Sequence, residues 1–277
     1  MPELPEVETV VRYLRPKLKN QQIVGFNAYW PKVTAPTTPE VFSTAIVGRS
    51  IRAVIRRGKY IILNLDKGFV HLHLRMTGNL SVVTRRIENS DPHITAEFQM
   101  GAATWLIFRD TRKFGRIGYL DNLALLEAKL GPDPLSEEFT PQRFHSELKN
   151  RHRRIKPLLL DQSFIAGLGN IYVDEALFLS RIHPESPAST LSYREVEVLH
   201  SNIRNVLLSS IENSGTTLVN FRFGATGLGR FREMLQVFRR EGTPCPICGK
   251  DLIKIRVAQR GTHICPHCQK KKRKKRK

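Results

Sequence analysis

Four cysteines constrain this chain more than any other feature, because they fall into two close pairs. The pairs are Cys245 with Cys248 and Cys265 with Cys268, and sixteen residues separate them. This is the spacing of a four-cysteine zinc ribbon. Disulfides or four unrelated buried thiols are the alternatives, and an intracellular chain with paired cysteines disfavours both. We predict one structural Zn²⁺ ion held by all four thiolates.

A hairpin is predicted between the two pairs. Leu252–Val257 can form one strand, and Gln259–Thr262 falls where a tip or turn is expected. This places Arg260 near the tip of the hairpin. It then either enters a nucleic-acid groove or is an ordinary exposed arginine, and the spacing alone leaves both interpretations open.

The chain start predicts a helix over residues 4–18. Apolar residues recur there at helical spacing, Pro5 suits the first turn, and Pro16 should kink or end the helix. Beyond it, residues 24–120 are mostly typical of strands, including 70–76 and two pieces within 51–65. A loop is expected at 110–115.

The pattern changes at Gly131–Pro134, a strong breaker and a predicted interdomain linker. Helices are expected after it, and their predicted positions are a start at Thr140 and Pro141, then 155–162, 170–181, and 192–215 with a Ser192/Glu195 capping box. The sequence thus indicates an N-terminal helix, a β-rich domain, a helical domain and a zinc hairpin.

The charge of the chain points to a polyanionic partner. The formal net charge is +20, and it stays at +12 without the eight Lys and Arg residues of 270–277. A solvated basic surface is the alternative. The 270–277 tail can serve as a nuclear address or add non-specific DNA affinity. No apolar run long enough for a membrane and no secretory signal is present, so an intracellular protein is expected.

The residues before the first helix offer a nucleophile. Removal of Met1 would give Pro2 a free secondary amine, which can form an imine with a sugar carbon. Glu3 and Glu6 provide nearby carboxylates for proton transfer. On residue types alone this indication is weak, because most chain starts of this kind have no catalytic role.

Several strings together change that assessment. Met1–Val10 resembles the opening of the formamidopyrimidine-DNA glycosylases, enzymes that remove 8-oxoguanine and ring-opened purines. The resemblance extends to about Gln269, and further matching strings are Arg56–Tyr60, His73–Gly78, Asp110–Gly115, Ile155–Pro157, Ala166–Tyr172, Gln259–Thr262 and both cysteine pairs.

The resemblance implies an α+β multidomain fold. Its expected parts are a catalytic β-sandwich with an N-terminal helix (1–130), a helix-two-turn-helix DNA-binding domain (131–241), a zinc finger hairpin (242–269) and a basic tail (270–277). It also implies a bifunctional enzyme that excises oxidised purines and cuts the strand by β,δ-elimination. Its partner would be duplex DNA with oxidised or abasic sites, bound by a monomer in a bacterial cytoplasm, at the nucleoid.

The resemblance also implies roles for single residues. Pro2 would form the imine, Glu3 would act as acid and base, Lys59 would contact phosphate and donate a proton, and Arg260 would serve δ-elimination. The residues implied to contact DNA are Met76, Arg112 and Phe114, which would fill the gap left by a flipped nucleotide, and Arg151, Lys156 and Asn170, on the backbone side. Without the resemblance, Met76 would be a core residue, Phe114 a loop anchor, and Lys59 and Lys156 surface charges.

Three departures from the family pattern bear on these expectations. Asp91 stands where the family often has a histidine, and it should repel phosphate unless Arg85 or Arg86 compensates. Phe238–Arg239 replaces the usual Tyr-Gly, removing a hydroxyl and a glycine suited to positive φ. The glycine-rich stretch 221–231, which closes over the base in the family, has unusual contents. A non-catalytic DNA binder and an oxidised-pyrimidine glycosylase are the competing functions, and Leu4 favours purines over pyrimidines.

Overall fold

The computed structural model describes residues 1–84, 91–101, 103–217, 224 and 227–272. The chain divides into two compact units. The first unit comprises Met1–Ala128 with Ile211–Arg232, and the second comprises Lys129–Ser210 with Glu233–Lys277. The four domains predicted from the sequence, and the bounds between them, stay a prediction.

The first unit combines two four-stranded antiparallel sheets with helices. The helices are α1 (Leu4–Leu18), α2 (Pro39–Ile46) and α3 (Ala124–Glu127). The strands are β1 (Ile23–Ala28), β2 (Ile51–Arg57), β3 (Tyr60–Leu65), β4 (Phe69–His73), β5 (Gly78–Val83), β6 (Ile94–Met100), β7 (Thr104–Asp110) and β8 (Arg116–Leu120). One sheet has the order β1-β6-β7-β5 and the other β2-β3-β4-β8.

The core of this unit lies where α1 and both sheets bury their apolar side chains. Val7, Val10 and Leu14 of α1 share one buried cluster with Leu63 of β3 and Phe98 of β6. Alternation along each strand turns one face inward, which is why two sheets can enclose a single core. The predicted β-sandwich with an N-terminal helix is thereby confirmed.

The predicted helix over residues 4–18 is confirmed, and Pro16 does not end it, since a proline this close to the end interrupts only the last turn. Other predicted bounds extend too far: the helix predicted at 155–162 ends at Leu159, and the helix predicted at 170–181 ends at Leu179. β4 ends at His73, so Met76 lies in a turn and not on a strand. The last helix ends at Glu212, three residues before Gly215.

The second unit contains four helices and a hairpin among its described residues. The helices are α4 (Pro141–Lys149), α5 (Ile155–Leu159), α6 (Asn170–Leu179) and α7 (Tyr193–Glu212). The side-chain amide of Gln162 accepts from the Gly167 N–H and donates to the Leu168 carbonyl, which shapes the double turn between α5 and α6. The predicted capping box at α7 is confirmed, because Ser192 and Glu195 exchange hydrogen bonds.

The hairpin pairs β9 (Ile253–Val257) with β10 (Arg260–Ile264). Ala258 and Gln259 form the two-residue turn, with φ of +45° and +64°, as a turn matched to strand twist requires. Arg260 is therefore the first residue of β10. Among the described helices, none has the length and apolar run needed to cross a membrane.

Candidate functional site

The start of α1 fixes the two residues expected to carry the chemistry. Pro2 is buried and Glu3 is 4% exposed. The carboxylate of Glu6 accepts the Glu3 N–H at 2.8 Å and the Thr216 N–H at 2.7 Å. Glu6 therefore connects the chain start to Thr216, four residues beyond the end of α7. Because both of its oxygens hold backbone amides, Glu6 is a structural residue here and not a free proton acceptor.

Lys59 lies in the turn between β2 and β3, which Gly58 makes possible with a φ of +54°. Lys59 is 6% exposed, so it is not the ordinary surface charge that composition alone would suggest. Burial, together with the positive charges of Arg75 and Lys59, lowers the pKa of His73 to about 3. His73 is thus a neutral imidazole close to the Lys59 ammonium.

Two loops of the first unit bring Met76, Arg112 and Phe114 together. Met76 and Phe114 are 45% and 46% exposed, which excludes both from the core. The Arg112 guanidinium lies 4.6 Å from the centre of the Phe114 ring, and its Nη1 is 3.0 Å from the Met76 sulfur. An apolar, cationic and aromatic side chain thus form one exposed group.

Lys156, which the resemblance implies as a DNA contact, lies inside the second unit. Lys156 is fully buried, and its Nζ donates to Asp174 Oδ1 at 2.6 Å and to Thr262 Oγ1 at 2.8 Å. Asn170 Nδ2 donates to the Gly261 carbonyl at 2.9 Å. Lys156 would have to leave these partners to hold a phosphate. In this structure it instead ties α5 and α6 to β10, and it thereby orients the strand that begins with Arg260.

The other two arginines expected at DNA are exposed. Arg151 pairs with Glu147 at 3.8 Å and lies 5.8 Å from the centre of the Phe164 ring. Arg260 is exposed at the start of β10. Both guanidinium groups are thus open to an anion from solvent.

The four cysteines meet at one point of the second unit. All four Sγ atoms lie within 4.8 Å of one another, with 4.0 Å between Cys245 and Cys268 and 3.5 Å between Cys248 and Cys265. A tetrahedral zinc with bonds of about 2.3 Å needs sulfurs roughly 3.8 Å apart. Four thiolates at this spacing fit a single structural metal ion.

The departures from the family pattern have specific surroundings. Asp91 accepts from Arg109 Nε at 2.6 Å and from the His93 N–H at 2.9 Å. Burial alone would raise the pKa of Asp91, but these partners outweigh it and the pKa is lowered. Arg109 thus neutralises Asp91, while Arg85 and Arg86 lie outside the described residues, as do residues 221–223, 225 and 226 of the 221–231 stretch.

Phe238 ends a short segment whose backbone is held by a buried carboxylate, and Arg239 follows it. Glu175 accepts the N–H groups of Gln236, Val237 and Phe238 at 2.8 to 3.0 Å. Burial raises its pKa in spite of these bonds. Arg239 then has a φ of +59°. The expectation that this position favours glycine is therefore confirmed by its backbone.

Comparison with known proteins identifies the family. The family model of the formamidopyrimidine-DNA glycosylase N-terminal domain matches residues 1–117, and that of the formamidopyrimidine-DNA glycosylase H2TH domain matches residues 130–221. The family model of a zinc finger found in FPG and IleRS matches residues 242–271. A formamidopyrimidine-DNA glycosylase of Chloroflexus aggregans is 45% identical over 273 residues, covering 97% of this chain and 98% of the relative. The chain belongs to the formamidopyrimidine-DNA glycosylase family. A relative with that name from Protochlamydia amoebophila is also 45% identical, over 277 residues, covering 98% of this chain and 100% of the relative.

Solved structures of this glycosylase family share the fold. A complex between a mutant of Lactococcus lactis FPG and Fapy-dG-containing DNA has a TM-score of 0.91 at 37% identity, covering 98% of this chain and all of that one. MutM in complex with carbocyclic 8-oxo-G-containing DNA has a TM-score of 0.90 at 37% identity, with the same coverage. The predicted family and fold are both confirmed.

Sequence reasoning missed several buried polar residues in each of the two units. Asp110, Asp174 and Glu175 are buried carboxylates that hold loops or the hairpin, and His73 is a buried imidazole. The only sequence signal was their presence in or beside the matching strings. Nothing in a linear pattern shows that Asp174 meets a lysine and a histidine from distant segments.

Proposed function

We propose that this glycosylase excises oxidised purines from duplex DNA through the amine of Pro2 and then cleaves the strand. The observation that carries the proposal is the start of α1, where Pro2 and Glu3 are buried side by side and Glu6 accepts the backbone N–H of Glu3. The names of the structural neighbours support the substrate class, since they are complexes with Fapy-dG, 8-oxo-G and abasic-site DNA.

The first stage is base excision. Once Met1 is removed, the neutral form of the Pro2 amine attacks C1′ of the damaged nucleotide. The C1′–N bond breaks, and the departing base takes the proton that the Pro2 nitrogen loses. Glu3 protonates the ring oxygen O4′, so the sugar opens and an iminium ion joins Pro2 to C1′.

The second stage is strand cleavage. Loss of a C2′ proton breaks the C3′–O bond, and loss of a C4′ proton then breaks the C5′–O bond. Lys59 supplies a proton and a phosphate contact for β-elimination, and Arg260 binds phosphate during δ-elimination. Water finally hydrolyses the imine and returns the free amine. A zinc ion bound by Cys245, Cys248, Cys265 and Cys268 would have a structural role only, since it would hold the hairpin that carries Arg260.

DNA binding precedes both stages. We propose that the exposed group of Met76, Arg112 and Phe114 enters the duplex where the lesion leaves the stack, because the hole left behind must be filled to limit the unstacking cost. Asn170, Arg151 and Arg260 would contact the backbone. For Lys156 we propose an indirect role, through its bonds to Asp174 and Thr262.

Borohydride trapping tests the chemistry. Wild-type protein should form a covalent adduct with an abasic-site duplex, and Pro2→Gly should lose it. A one-residue N-terminal extension that leaves Pro2 in place is the matched control, because it blocks the amine alone, and it should lose the adduct too. Tight DNA binding with no adduct from the wild type would support a non-catalytic binder instead.

Substrate choice needs a second comparison. Excision of 8-oxoguanine opposite cytosine should exceed excision of thymine glycol in the same duplex context. Faster release of thymine glycol would overturn the preference for purines and leave the imine chemistry intact.

A further inference from the structure

A buried carboxylate lies beneath the two loops that present Met76, Arg112 and Phe114. Asp110 ends β7, pairs with Gly78 at the start of β5, and is fully buried. One loop, residues 74–77, precedes β5, and the other, residues 111–115, follows β7. Asp110 therefore stands at the point where both loops leave the same sheet.

Both oxygens of this carboxylate hold donors from the two loops. Oδ1 accepts the Thr77 hydroxyl from the first loop and the Arg112 N–H, at 3.2 Å, from the second. Oδ2 accepts the Gly115 N–H at 2.6 Å. The Arg112 N–H also reaches Thr77 Oγ1 at 3.2 Å, which closes a small network between the loops.

The surrounding space leaves the loops little freedom to adjust. A Cβ on Gly115 would lie 2.4 Å from Phe108 Cζ and 3.1 Å from Asp110 Oδ2. A Cβ on Gly78 would lie 2.5 Å from the Leu74 carbonyl oxygen. Glycine at both positions lets the loops approach the carboxylate closely, so their relative position depends on Asp110.

We propose that Asp110 is the positioning residue that holds the Met76 loop and the Arg112–Phe114 loop in register for displacing the damaged base. This rests on the proposed function. Asp110 has no exposed atom to offer DNA, so it acts through the three side chains above it. Its effect should fall on the step in which a paired base leaves the stack, and not on chemistry at the sugar.

The isosteric variant Asp110→Asn is the sharpest probe, because both carboxylate oxygens face donors. An amide nitrogen at either position places its N–H against a backbone N–H, that of Arg112 or that of Gly115, and releases the 111–115 loop. Side chains that displace a base must be held within about 0.5 Å of their productive positions. The matched control is Glu97→Gln, a buried carboxylate in the same sheet that accepts from Asn27 Nδ2 at 2.9 Å.

Two DNA substrates distinguish a loss of loop positioning from a general loss of enzyme activity. Asp110→Asn should lower single-turnover excision of 8-oxoguanine from duplex DNA by about tenfold or more, as loss of a charge-assisted bond allows. Strand cleavage at a preformed abasic site should change by less than about threefold, because no base has to be unpaired there. Glu97→Gln should leave both rates near the wild-type values.

A second pair covers the case in which Asp110→Asn fails to fold. Thr77→Ser keeps the hydroxyl and should retain excision, whereas Thr77→Val removes it and should show the same selective loss. Equal losses on both substrates, or an Asp110→Asn protein that matches Glu97→Gln, would overturn this inference alone. A wild-type protein that leaves both duplexes intact would overturn the proposed function as well.

Discussion

His73 ends β4 with its ring enclosed between other side chains. Its Nδ1 accepts the Arg75 N–H at 3.0 Å, and the Tyr60 ring meets it edge-on with 4.7 Å between ring centres. Burial, aided by the charges of Arg75 and Lys59, lowers its pKa to about 3. The native protein therefore keeps this imidazole neutral at pH values where the unfolded chain would protonate it.

This difference predicts a pH dependence of stability. Below about pH 6.5, His73 binds a proton in the unfolded chain but not in the native state. The free energy of unfolding therefore falls as the pH falls toward 3, and His73 does not affect it above about pH 6.5. At pH 5 the loss from His73 is on the order of 2 kcal/mol.

Urea unfolding followed by tryptophan fluorescence measures this loss, because both tryptophans, Trp30 and Trp105, lie in the first unit. His73→Gln should lose less stability between pH 7 and pH 5 than the wild type. An equal loss in both proteins would contradict the assignment.

Arg239 supplies a second residue-scale prediction. Its φ of +59° is the left-handed region, in which side chains with a Cβ are strained. Arg239→Gly should raise the free energy of unfolding of the second unit by up to about 1 kcal/mol. Arg240→Gly is the matched control and should lower it, because Arg240 has no positive φ and its Nη1 donates to the Leu235 carbonyl. Calorimetry that ranks the two variants the other way would exclude strain at 239.

At the scale of elements, the metal should decide whether the hairpin forms. β9 and β10 bury few side chains of their own, and a small apolar cluster forms around Cys245 and Cys265 with Leu252 and Phe178. Cys248→Ser, or removal of zinc, should unfold the hairpin and reduce DNA binding at least about tenfold. The first unit should stay folded. Circular dichroism and a DNA titration measure both effects, and unchanged affinity without metal would count against this role.

Many elements could be predicted because their signals are local. Thr140 caps α4, Ser192 and Glu195 cap α7, and the strands β2 and β3 break where Gly58 allows a turn. Each depends on residues within one turn or one strand pair. The spacing of the four cysteines likewise predicted that their sulfur atoms lie together.

Contacts between distant segments could not be predicted in this way. From the sequence alone, Lys156 would be expected to be an ordinary surface lysine, yet it is buried against Asp174 and Thr262. Met76 continues the alternation of β4, yet the strand ends at His73 and leaves it exposed. Both outcomes are set by tertiary packing, which no short pattern encodes. The roles of these residues in catalysis or DNA binding stay predictions.

At the scale of the whole molecule, charge should govern affinity for DNA. The chain carries a formal net charge of +20. Lys271 pairs with Glu185 at 2.8 Å and Lys272 with Glu195 at 2.5 Å, so these two lysines are partly neutralised within the second unit. The five cationic residues 273–277 follow them and lie outside the described part of the chain.

Replacing residues 273–277 by a neutral tail of equal length should weaken binding and flatten its salt dependence. Each phosphate neutralised adds about 0.9 to the slope of log K against log salt, so the slope should fall by as much as about 4. Anisotropy titrations between low and physiological salt measure it. An unchanged slope would mean that the tail does not contact DNA.

The most direct test of the account is to locate the covalent bond to the sugar. Borohydride-trapped complex, digested and mapped by mass spectrometry, should carry the sugar remnant on a peptide that begins with Pro2, with Met1 absent. A remnant on a lysine would contradict the account. So would protein that retains Met1 and still cuts lesion-bearing strands at the normal rate.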